Sequence, residues 1–77
     1  MKDTTLLKRI SMDPKVMLGK PVIKGTRLTV ELILEKLAYG ATYEDLIADY
    51  SFLKVEDIRA SVLYASRAMA VEEIVAA

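Results

Sequence analysis

The sequence predicts a mostly α fold in one domain over residues 1–77. A short N-terminal β-hairpin or pair of strands (residues 1–28) leads into a three-helix, helix-turn-helix bundle (residues 29–77). Three observations predict it. The first 28 residues carry short apolar runs broken by Asp13-Pro14, Gly19 and Gly25, the punctuation of strands and turns. From Val30 onward the apolar residues recur three and four apart, which is the period of a helix with one buried face. Thr29 and Thr42 each stand just ahead of such a run with acidic residues in the turn that follows, as helix N-caps do.

Taken in order, residues 1–5 are polar and expected to fray. Leu6 to Ser11 is a candidate strand, and Met12-Asp13-Pro14-Lys15 a turn with Asp ahead of Pro. Val16-Met17-Leu18 is a second apolar run, ended by Gly19. Pro21 to Lys24 is a third, held extended because proline pushes its predecessor out of the helical region. Gly25 supplies the turn, since glycine alone accepts positive φ without a steric penalty.

The first helix begins at Val30 behind the cap Thr29, with Glu31 favoured by the helix dipole. Val30, Ile33, Leu34 and Leu37 form its core stripe, Glu31, Glu35 and Lys36 its wet face, and Gly40 its stop. Thr42 opens a short second helix and Asp45 reaches back to it. Leu46, Ile47 and Tyr50 are its buried side, and Glu44, Asp45 and Asp49 face water. The third helix runs from about Val55 to Glu73 or beyond and is apolar on two sides. Ile58, Val62, Ala65 and Met69 are expected to pack on the first two helices. Leu63, Tyr64, Ala70, Val71 and Ile74 are the candidate partner interface, with burial under the N-terminal strands as the alternative.

Composition narrows the function. A 77-residue chain with 53% apolar residues has more apolar surface than so small a core uses, so a homodimer or an obligate complex is expected. It has no Cys and no His, which excludes disulfides and thiolate metal sites and removes the commonest bases and nucleophiles. No apolar run nears the ~20 residues of a membrane span, and the N-terminus lacks a signal-peptide core. A soluble, cytoplasmic protein without membrane contact is expected.

The acidic pairs Glu44-Asp45, Glu56-Asp57 and Glu72-Glu73 sit in first turns or on polar helix faces, where carboxylates cap and are solvated. The glycines lack the spacing of a phosphate cradle. No catalytic residue, metal site or cofactor is therefore assigned, and a non-enzyme is expected.

Charge points elsewhere. Residues 1–27 hold seven basic and two acidic side chains (7 − 2 = +5), and residues 28–77 four and nine (4 − 9 = −5). The segregation fits neutralisation within the fold or across a dimer, or a basic arm laid on nucleic acid. In a helix-turn-helix the outward start of the third helix, with Glu56, Arg59, Leu63, Ser66 and Arg67, faces the major groove. Lys20, Lys24, Arg27, Arg59 and Arg67 are accordingly the candidate nucleic-acid contacts. For Arg27 a structural role, on carbonyls or on Glu31, stands beside a phosphate or partner carboxylate.

Gly19-Lys20-Pro21-Val22-Ile23-Lys24-Gly25-Thr26-Arg27, the helix from Val30 to Leu37, Gly40 to Asp45, Tyr50 to Leu53 and Glu56-Asp57-Ile58 resemble bacterial domain-of-unknown-function family 433 over residues 8–66. The resemblance implies a short β-element ahead of a homeodomain-like trihelical core. It implies an antitoxin-like role in a type II toxin–antitoxin pair, silencing a PIN-like ribonuclease toxin and also binding operator DNA. A stand-alone helix-turn-helix regulator and a non-DNA-binding assembly adaptor are the alternatives. The family usually has Pro at the position of Ser51 and Thr or Ser at that of Lys54. Loss of a threonine cap is expected to weaken the start of the third helix by about 1 kcal/mol.

Overall fold

The computed structural model describes the backbone of residues 3–76 and the side chains of residues 4–70. The chain runs through α1 (Asp3–Leu7), β1 (Ile10–Ser11), a 3-10 turn (Met17–Gly19), β2 (Val22–Ile23), α2 (Val30–Ala38), α3 (Tyr43–Asp49) and α4 (Val55–Ala76). The mostly helical class with a short antiparallel hairpin ahead of the bundle is as predicted. The strands pair within the chain, Ile10 opposite Ile23 and Ser11 opposite Val22.

The N-terminus departs from its expectation. Residues 3–7 form a helix rather than a frayed end, and the strand is confined to Ile10–Ser11. The cause is tertiary: α1 packs against α4 and half-buries Leu6 and Leu7 there. The second apolar run is not a strand either. Met17 and Leu18 are left-handed (φ 49° and 59°), and Leu18 is left 92% exposed. Such backbone costs L-residues about 1 kcal/mol or more apiece. Bonds from Gly19 N–H to Val16 (3.0 Å) and from Lys20 N–H to Met17 (3.1 Å) hold it.

One apolar cluster of Ile23, Leu28, Ile33, Leu46, Leu53 and Ile58 draws on the hairpin, the corner after it and all three long elements. Burial of each such side chain contributes roughly 1.5–3 kcal/mol. The caps form as the sequence predicts. Thr29 Oγ1 accepts from Leu32 N–H at 3.1 Å, and Thr42 and Asp45 exchange bonds in a capping box at 3.1 and 2.9 Å. Gly40 closes α2 at φ 98°, a left-handed stop. Lys36, expected on the wet face, is half-buried with its ammonium 5.9 Å from the centre of the Tyr50 ring.

The largest correction concerns α4. Of its expected core stripe, Ile58 is buried and Ala65 half-buried, but Val62 is 43% and Met69 56% exposed. The buried side of the helix is instead Asp57, Ile58, Ala60 and Ser61. Small side chains there let α1 and β1 approach closely, and Ser61 Oγ donates to the Asp57 carbonyl at 3.0 Å. Asp57, expected to be solvated, is a buried anchor. Its carboxylate accepts from Lys54 N–H at 2.9 Å and from Arg9 Nη1 at 3.0 Å. The helix therefore starts at Val55 without a hydroxyl cap.

No helix among the described residues is long and apolar enough to cross a membrane.

Candidate partner and nucleic-acid surfaces

The corner between β2 and α2 is held by a dense set of hydrogen bonds. Thr26 N–H closes a turn on Ile23 O at 3.0 Å around Gly25, whose φ is 79°. Thr26 Oγ1 donates to the same carbonyl at 2.8 Å and accepts from Leu28 N–H at 3.0 Å. Ile23 N–H then reaches Leu28 O, and Val30 N–H reaches Pro21 O, each at 2.9 Å. The chain thus folds back on itself and lays Leu28 into the core. Thr26→Val keeps the shape but removes both side-chain bonds, and urea unfolding is expected to show a loss of about 1–2 kcal/mol.

This corner leaves Arg27 outside. Its side chain is exposed and makes no hydrogen bond or ion pair among the described residues. The predicted structural partner, Glu31, is instead taken by Lys20 at 3.0 Å. The reason is direction: the turn that buries Leu28 sends the neighbouring residue out, so Arg27 cannot also serve the corner. Arg27 stands on the rim of an apolar groove of about 610 Å³ with Leu28, Leu32, Tyr50 and Phe52. The Tyr50 and Phe52 rings lie 6.1 Å apart, tilted by 54°, and Phe52 is 49% exposed.

The other candidate residues are dispersed. Lys24 lines a shallow basin of about 360 Å³ beside the first turn of α4, with Thr5, Lys8, Arg9 and Asp57. Arg9 there is engaged by Asp57, whereas Lys8 and Lys24 form no ion pair among the described residues. Arg59 and Arg67 are exposed on α4, and Arg67 has a partner within the molecule. Lys24 and Arg27 thus line different depressions, and Lys20 is held by Glu31. Lys8, not singled out in the sequence, joins Lys24 because α1 is a helix docked on α4.

Of the predicted partner interface, Leu63 and Tyr64 are half-buried and Ala70 is exposed. The Tyr64 hydroxyl lies 3.7 Å from the Met12 sulfur, so the N-terminal loop covers part of this side. The side chains of Val71 and Ile74 lie outside the described residues. The sequence does not single out Phe52 and Leu32. The signals available were a lone phenylalanine in a connection and a leucine off the core stripe of its helix. No group of three or more His, Cys, Asp or Glu side chains among the described residues is placed to hold a metal ion.

The sequence model of a family described as "Protein of unknown function (DUF433)" matches residues 10–65, from β1 to the middle of α4. The chain belongs to the DUF433 family. It is similar to a DUF433 member protein from Anabaena variabilis ATCC 29413, known from a crystal structure at 2.00 Å resolution. The two share 27% identity and a TM-score of 0.77, over 96% of this chain and 74% of that one. Comparison with curated proteins finds no match. In this DUF433 protein the Gly-x-Pro-x-Ile-x-Gly-Thr-Arg stretch does two things. Pro21 through Thr26 builds the corner, and Arg27 stands with Thr26 on the rim of the apolar groove.

Proposed function

We propose that this DUF433 protein is a non-enzymatic, antitoxin-like binding protein that holds and silences a PIN-like ribonuclease partner. The observation that supports this best is the groove of Leu28, Leu32, Tyr50 and Phe52 with Arg27, unengaged among the described residues, on its rim. Exposed aromatic and aliphatic side chains beside an exposed guanidinium are the composition of a binding hot spot. The cation selects an apolar partner segment that also carries a carboxylate, by a bidentate pair. The test is co-expression with a neighbouring PIN-like reading frame. The pair is expected to co-purify and ribonuclease activity to fall in the complex. A partner that elutes alone with full activity would sink the proposal.

Operator binding is a second reading. It is favoured by the order of α3, a five-residue connection and α4, and by Lys8 and Lys24 beside the first turn of α4. A mobility shift on the upstream DNA is expected at low salt, fading as salt rises, because the contacts are to phosphates. Lys24→Glu should weaken it about tenfold. Absence of any shift at low salt leaves a protein-binding role only.

A further inference from the structure

The outer face of α2 carries two depressions that share one residue. Leu32, Glu35 and Tyr39 are spaced three and four apart, so they form one stripe along the helix. All three are exposed, Tyr39 most of all at 85%. On the N-terminal side of Leu32 lies the apolar groove of Leu28, Tyr50 and Phe52 with Arg27 on its rim. On the C-terminal side lies a basin of about 390 Å³ lined by Leu32, Glu35, Lys36, Tyr39 and Asp49. Leu32 stands between the two as a wall common to both.

The two halves are opposite in character. The first offers a cation and an apolar cleft, the second two carboxylates and a protruding phenol. Arg27, Glu35 and Asp49 form no ion pair among the described residues. Lys36, the cation of the basin, is half-buried with its ammonium 5.9 Å from the centre of its own chain's Tyr50 ring, so the carboxylates set the sign of the basin's rim. A face with unlike ends is complementary to itself when rotated by half a turn about its centre. Here the centre is Leu32. The rotation lays α2 antiparallel on α2 of a second copy, with Leu32 against Leu32. It brings Arg27 of each chain to the Glu35 and Asp49 end of the other, and Tyr39 of each to the other's groove. Tyr39 with Glu35 is an apolar segment that also carries a carboxylate, the chemistry that this groove selects. A parallel pair would set Arg27 against Arg27 and Glu35 against Glu35, and like charges opposed across an interface repel. We infer that a second copy of this chain covers the groove, α2 pairing antiparallel with α2 through Arg27, Leu32, Glu35, Tyr39 and Phe52.

This surface differs from the Leu63 and Tyr64 side that the sequence singles out, and the pairing does not rest on the ribonuclease reading. Any partner seated in the groove displaces the second copy, since both use Arg27 and Phe52. Sedimentation of the full chain alone at tens of micromolar is expected to give about 17 kDa, twice 8.6 kDa. Arg27→Glu and Glu35→Arg lie at exposed positions outside the buried cluster. Each should give a monomer with an unchanged circular dichroism spectrum, because each opposes like charges across the axis. Mixed in equal amounts, the two variants should return to the mass of the dimer, because a pair made of one of each restores both oppositely charged contacts. A wild-type monomer, or a dimer that survives either substitution, overturns the inference. Two variants that stay monomeric when mixed overturn the pairing of Arg27 with Glu35, and this interface with it.

Discussion

Asp57→Ala is expected to lower the free energy of unfolding by about 3 kcal/mol, the largest loss from any polar side chain here. Two terms add. The carboxylate accepts from Lys54 N–H at 2.9 Å, the reach-back half of a capping box, and losing such a bond costs about 1 kcal/mol. It also accepts from Arg9 at 3.0 Å, with the carboxylate side chain 8% exposed and the guanidinium 30%. A charge-assisted bond in such a place is worth about 1.5–3 kcal/mol. Because Arg9 keeps a path to water, the loss stays below that of a fully buried pair left half-empty. At about 4–8 °C per kcal/mol for a domain this small, the melting temperature should fall by roughly 12–24 °C. Arg9→Ala should cost less, since Asp57 keeps its backbone bond. The double variant should be little worse than Asp57→Ala alone, because the pair can be lost only once. Melting at fixed protein concentration measures all three. Equal, additive losses would show that the ion pair contributes nothing.

Asp57 also marks where the sequence stops being legible. The caps Thr29 and Thr42, the stop at Gly40 and the turn at Gly25 are local chemistry, and each could be placed from the residues beside it. The buried side of α4 could not. Its centre is Ala60 and Ser61, with Asp57 at the edge, so a search for large apolar residues finds Val62 and Met69 on the opposite face. What fixes the register is α1 docking against α4, a contact between residues some 50 positions apart. The five residues Asp3–Leu7 have no helix signal strong enough to announce that contact, because so short a helix is stable only when packed. The groove beside Arg27 is hidden from the sequence for a related reason. Leu32 and Phe52 come from separate elements, and only the corner at Gly25-Thr26 brings Arg27 to meet them.

The groove gives the second large effect. Phe52→Asp is expected to weaken capture of the PIN-like partner by at least about 100-fold, some 3 kcal/mol, as removal of an aromatic hot spot does. The substituted side chain is half-exposed and outside the buried cluster, so thermal unfolding should move by under about 1 kcal/mol. Arg27→Glu should cost a further tenfold through repulsion of the partner carboxylate, while Arg27→Lys should recover only part of the loss because a point charge lacks the bidentate fork. The order Arg, then Lys, then Glu in affinity is the signature of a carboxylate facing this position. Titration of the labelled partner with each folded variant reads the order directly. Affinity that ignores Phe52 places the partner elsewhere on the molecule. Affinity that falls with Phe52 but ignores Arg27 leaves an apolar groove with no charge preference, and the selectivity argued from the guanidinium fails with it.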